Sequence, residues 1–101
     1  MATGFYRKQP SEQFAITVDF ATYRLASGES ISTYTATATN QDTDADVTAT
    51  IIDSDSEAAG VVTVVTKGGV EATRYTIEVI VTTDQGNIHE MDVVLEVLEE
   101  P

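Results

Sequence analysis

The chain has one histidine and no cysteine among 101 residues, which removes most ways of building a reactive centre. Structural and catalytic zinc sites draw on several Cys and His side chains, and a nucleophilic triad needs a base beside its Ser or Cys. His89 follows the turn signal Asp84-Gln85-Gly86-Asn87 and shares the parity of Met91, Val93, Leu95 and Val97. That position suits a half-buried, hydrogen-bonded imidazole better than a general base. Two acids facing each other across a cleft would serve glycoside hydrolysis, but a compact chain of this length rarely supplies the cleft. There is no glycine-rich phosphate loop and no catalytic motif. The expectation is a protein that is not an enzyme and carries no cofactor.

Two clusters invite a binding role instead. Asp42, Asp44 and Asp46, with Asp53 eleven positions after Asp42, imitate the carboxylate spacing of a calcium-binding EF loop. Val47 stands where that loop needs glycine, and Asp53 where it needs a bidentate Glu, so an EF-hand is excluded. A looser calcium site between loops is the alternative to a solvated, mutually repelling segment. Near the start, Phe5 and Tyr6 adjoin Arg7 and Lys8. Aromatic rings next to cations are the residue types that anchor protein interfaces, so these four are candidate partner-binding residues.

The charge distribution sharpens this contrast. Residues 1–41 hold Arg7, Lys8 and Arg24 against Glu12, Asp19 and Glu29, whereas the rest hold Lys67 and Arg74 against 14 acids. The whole net charge of −12 therefore lies after Gln41. Phosphate binding needs clustered Lys and Arg, so nucleic acid is not expected as a partner. No apolar run approaches the ~18 residues of a membrane helix, and no charged-then-apolar secretion signal opens the chain. Synthesis in a cytoplasm is expected.

The elements that must position these residues are strands. Thr (16), Val (12) and Ile (7) far outnumber Leu (3) and Met (2), and branching at Cβ favours extended backbone. Residues 1–13 have no period and read as an N-terminal arm or leading strand; residues 14–101 read as one β domain. Phe14, Ile16, Val18 and Phe20 alternate with polar neighbours. Residues 30–39 form a Thr and Ala run in which Ile31 and Tyr34 differ in parity, a sign of a bulge or an edge. A third strand is expected over Val47 to Ile52, then a polar segment from Asp53 to Gly60. Val61 to Lys67 is a further strand, closed by Gly68-Gly69. Tyr75, Ile77, Val79 and Val81 share one face of the next strand. Tyr75 is placed to lay its ring on the core and return its hydroxyl to the backbone. The last strand turns Met91, Val93, Leu95 and Val97 inward, and Glu99-Glu100-Pro101 ends the fold.

Six or seven strands separated by turn signals describe an all-β, antiparallel, immunoglobulin-like β-sandwich, with a small β-barrel as the alternative. Within that frame, Lys8-Gln9-Pro10-Ser11-Glu12, Val18-Asp19-Phe20, Leu25 with Gly28-Glu29-Ser30-Ile31, Asp46-Val47-Thr48, Gly68-Gly69 with Tyr75, and Thr82-Thr83 with Gly86 and Glu90 form an ordered set. In order and spacing the set resembles the small proteins, of about 100 residues, encoded among the virion structural genes of tailed phages and prophages. The resemblance runs from Lys8 to Val97, departing at Ala72, where such proteins often have a third glycine. It implies a structural or assembly part of the head, neck or tail. Its partners would be other virion proteins or copies of itself, and it would be found in the virion or the cytoplasm of the bacterial host. A surface module binding calcium or glycan through its loops is the competing reading. The segment Met1 to Glu12 is expected to order against a neighbouring chain, or else to fold back on its own domain.

Overall fold

A computed structural model describes residues 2–99 of the chain. Met1, Glu100 and Pro101, which were read as parts of the arm and of the chain end, lie outside the described residues.

Seven strands and two single helical turns follow in the order β1 (Ala2–Lys8), β2 (Phe14–Asp19), α1 (Phe20–Tyr23), β3 (Ile31–Asn40), α2 (Thr48–Ile51), β4 (Ile52–Ala58), β5 (Val61–Thr66), β6 (Thr73–Thr83) and β7 (Ile88–Val97). They form a four-stranded sheet in the order β1-β7-β6-β3 and a three-stranded sheet in the order β2-β5-β4. All neighbours are antiparallel except β1 and β7, which run parallel. Among the described residues no strand ladder joins the two sheets, so the fold is a sandwich and not a barrel. The smaller sheet has the order of strands B, E and D of an immunoglobulin domain, and β3, β6 and β7 that of C, F and G. β1 stands in the place of the first strand but pairs with the last one.

Alternation in β6 and β7 builds most of the core. Tyr75, Ile77, Val79 and Val81 of β6 and Met91, Val93, Leu95 and Val97 of β7 are buried against Ile16, Val18, Val62 and Val64 of the facing sheet. Each such aliphatic side chain contributes roughly 1.5–3 kcal/mol by leaving water. Of the expected inward set only Phe14 and His89 are merely half-buried. Tyr75 is buried, and its hydroxyl accepts the backbone N–H of Val70 at 2.9 Å, the return to the backbone expected of it. β3 resolves its parity conflict in both foreseen ways: it is an edge strand, and its register with β6 shifts between Ile31 and Thr33.

Elsewhere the structure departs from the sequence reading. Val47 to Ile52 is not a strand: Thr48–Ile51 makes one helical turn, which carries the chain from the edge of one sheet to the other while Ile51 fills the core. Tertiary demand here overrides the extended preference of Thr and Ile. Phe20 likewise opens a helical turn, capped by the Asp19 carboxylate accepting from Thr22 N–H at 3.0 Å. The polar segment after Ile52 is strand β4, joined to β5 by Ala59-Gly60. Both turn residues have positive φ, 52° and 83°, the geometry of a two-residue type I′ hairpin. Gly60 is also sterically required, since a Cβ there would lie 2.8 Å from Ala21 Cβ.

Residues 2–8 are a leading strand on their own chain, paired with β7 from Ala2↔Asp92 to Lys8↔Val97. Beyond β1, Gln9 N–H donates to the Glu12 carboxylate at 2.7 Å and Glu12 N–H to the Gln9 carbonyl at 3.0 Å, a tight turn into β2. At the far end of the sandwich, Glu29 is buried. Its carboxylate accepts from Thr83 Oγ1 at 2.6 Å, Asn87 Nδ2 at 2.8 Å and Ala26 N–H at 2.9 Å. These bonds pull the carboxyl down to about 2, the Thr83 bond most of all, and they clamp the 26–29 turn to the β6–β7 hairpin.

Candidate functional site

Because successive strand residues point to opposite faces, β1 splits the aromatic and basic cluster read from the sequence. Phe5 and Arg7 project onto the outer face of the larger sheet. Tyr6 packs against the core, and Lys8 is buried. The Lys8 ammonium donates to the carbonyls of Gln9 at 2.8 Å and Pro10 at 3.3 Å, and burial pushes it below the usual lysine range against the pull of Glu12. Lys8 therefore locks the turn after β1 and is not presented to a partner.

On the outer face the partners of Phe5 and Arg7 come from the far end of the sequence. The Arg74 guanidinium lies over the Phe5 ring, 5.7 Å from its centroid. Glu96 of β7 sits between two arginines, with Oε1 2.9 Å from Arg7 Nη2 and Oε2 3.1 Å from Arg74 Nε. Arg74 first, then Arg7, hold its carboxyl below the usual range. The result stitches β1, β7 and β6 together. It also leaves a ring 52% exposed, covered on one side by the Arg74 guanidinium. Arg74 and Glu96 were missed in the sequence, because the hairpin register starts at Thr82↔Ile88, and counting outward from Asp84–Asn87 would have paired Arg74 with Val97.

Farther along this face, carboxylate oxygens of Glu78, Glu90 and Asp92 lie within 4.8 Å of one another. Burial, and then the hydrogen bond and charge of Glu90, raise Asp92 to about 6, so a proton relieves the repulsion at mildly acidic pH. Among the described residues this is where acids gather closely enough to hold a cation; Asp42, Asp44, Asp46 and Asp53 do not converge in that way. Asp46 instead accepts from Thr48 N–H and Oγ1 at 2.9 and 2.6 Å, Asp44 takes a left-handed turn conformation, and Asp53 lies 3.9 Å from Lys67.

Where the sandwich opens between β1 and β2, a cleft of about 250 Å³ is lined by Gly4, Tyr6, Thr17, Val18, Asp19, Tyr23, Met91 and Val93. It falls below the roughly 300–1,000 Å³ of small-molecule sites, and the Asp19 carboxylate in its wall is engaged by Thr22. His89 is not part of it. That histidine is half-buried on β7, as expected, but its Nε2 finds no hydrogen-bond partner among the described residues.

The chemistry on offer is thus recognition by a sheet surface: an exposed ring, paired charges and open strand edges. No curated protein matches the chain. Residues 8–96 match the family model of the podophage GP4 fiber-tail adaptor protein gp77, and the chain belongs to that family of small structural proteins of the phage virion.

Proposed function

We propose that the protein is a non-enzymatic adaptor that joins a tail fibre to the tail by surface complementarity, one contact being the outer face around Phe5. The observation that carries this reading is the exposed Phe5 ring, held against the Arg74 guanidinium, which is itself paired with Glu96. A ring fixed before contact loses little entropy on docking, and aromatic and arginine side chains dominate interface energies. The strongly acidic remainder favours protein over nucleic acid or an anionic membrane surface. The chain would be made in the host cytoplasm and would end in the virion.

The test is binding of the full chain to the purified tail and fibre proteins of the same virion. Phe5→Ala, and separately Arg74→Gln, should weaken one of these contacts by about 2 kcal/mol, a typical interface hot spot, while lowering the melting temperature only slightly. Failure of the unaltered chain to bind either protein, or equal binding by both variants, removes the reading.

A further inference from the structure

Four strands end the two sheets, and each edge exposes backbone that could pair with another chain. Along β4 stand Asp53, Asp55 and Glu57, whose charges discourage pairing. Strand β1 carries Arg7 and Lys8 and a register break between Ala2 and Gly4. The edge of β2 opens into the cleft beneath Tyr6 and Tyr23. Strand β3 differs from all three. It is the longest edge strand, at ten residues, and it contains neither a charged residue nor a proline.

Half of that edge is already covered by the chain itself. Ala38 C=O accepts from Val47 N–H at 2.9 Å and Ala38 N–H donates to Thr48 Oγ1 at 3.0 Å. Asn40 N–H donates to the Ala45 carbonyl at 3.0 Å, and its own carbonyl accepts from Asp44 N–H at 2.8 Å. In an antiparallel ladder the backbone groups of every second residue point to the same side. Tyr34 and Ala36 therefore direct their N–H and C=O groups along the line used by Ala38 and Asn40, where no described residue meets them.

We propose that the open edge of β3 at Tyr34 and Ala36 receives an extended segment of another virion protein bearing lysine or arginine, which adds as a fifth strand to the larger sheet. Charge selects the occupant. Between Gln41 and Gly60 the chain has six acids and no base, in the loop that follows β3 and on β4 across the margin. Asp55 is held at the edge itself, its Oδ1 accepting from Tyr34 Oη at 2.8 Å. A second copy of this chain would bring two such acidic margins together, whereas a basic strand gains backbone pairing and opposite charge at once. The proposal deepens the adaptor reading by naming its second contact surface. The edges β1 and β3 lie on opposite sides of the sheet, about 14 Å apart at ~4.8 Å per strand spacing.

The probe is a blocked octapeptide alternating lysine with threonine, compared with the same peptide carrying glutamate for lysine. With the full chain, the lysine peptide should slow hydrogen exchange at the amides of Tyr34 and Ala36 and bind with a salt-dependent affinity. Ala36→Pro removes one outward N–H without touching the β6 ladder. It should weaken binding about tenfold, the loss of a backbone hydrogen bond together with a steric misfit. Asp53→Asn with Asp55→Asn should weaken binding several-fold and flatten the salt dependence. Equal binding of the glutamate peptide, protection appearing at Ala15 and Thr17 of β2, or unaltered binding by Ala36→Pro overturns the proposal. So does dimerisation of the free chain that Ala36→Pro abolishes, which would make a second copy the occupant. Should Ala36→Pro fail to fold, exchange at Tyr34 and Ala36 in the unaltered chain decides alone. Phe5→Ala should leave peptide binding intact, so failure at β3 is distinguishable from failure of the Phe5 contact.

Discussion

Three alanine and aspartate positions hold backbone that glycine or asparagine would hold better. Asp44, Ala59 and Ala72 have φ of 59°, 52° and 64°, and left-handed backbone costs an ordinary residue about 1–2 kcal/mol. Ala72 N–H is tied to the Val97 carbonyl at 2.8 Å, so the conformation cannot relax without breaking that bond. Ala72→Gly should therefore stabilise the fold by about 0.5–1 kcal/mol after the unfolded chain's added freedom is discounted. Thermal unfolding should rise by a few degrees, on the order of 4–8 °C per kcal/mol at this size. Ala59→Asn, which suits the first position of a type I′ turn, should act in the same direction. Gly60→Ala should cost about 2 kcal/mol or more, combining positive φ with a 2.8 Å overlap against Ala21 Cβ. The sequence showed Ala72 as a departure from the glycine of similar virion proteins, and the structure supplies the physical sense of that glycine. It did not show the hairpin at Ala59, because Ala-Gly lacks the Asn-Gly signature by which such turns are recognised.

Among the elements, the strands legible in the sequence were those whose two faces meet different environments. The parity of β6 and β7 was readable because one face is core and the other solvent. Val79→Ala should accordingly cost about 2 kcal/mol from lost burial and the cavity left behind, while Glu78→Gln, half-buried beside two other acids, should cost nothing or stabilise slightly. Chemical denaturation of both variants checks the pair, and equal damage would contradict the observed facing. Strand β4 was hidden for the complementary reason: Asp53, Ser54, Asp55 and Ser56 are all exposed, so no alternation marks it. Strand β1 was obscured by Lys8, whose apolar stem lies inward while its ammonium is satisfied by carbonyls, a burial that a polar label does not reveal. The candidate surface was half legible. Phe5 and Arg7 stood out as neighbours of unusual type, but Arg74 and Glu96 gain their meaning only from the register that brings β1 beside β7 and β6.

For the whole molecule, acidity and stability are linked with two opposite signs. Asp92 is raised to about 6 in the folded protein from an ordinary 3.8. Folding therefore takes up a proton between those values, and stability falls as pH rises through about 6. Glu29 is lowered to about 2 from 4.5, so its contribution is complete above about 4.5 and is lost as pH falls towards 2. The melting temperature should peak near pH 4, between the ordinary 3.8 of Asp92 and the ordinary 4.5 of Glu29. Asp92→Asn should raise it at pH 7.5, leave it nearly unchanged at pH 4, and move the peak towards neutrality. The parallel pairing of β1 with β7 has a different consequence, a mechanical one. Tension applied between the start of β1 and the end of β7 draws the two strands along each other in opposite directions. The paired residues from Gly4 to Lys8 then share the load together and do not peel apart one at a time. The Arg7–Glu96 and Arg74–Glu96 pairs cross the same seam. Load applied at these two ends thus meets the fold along its most shear-resistant direction.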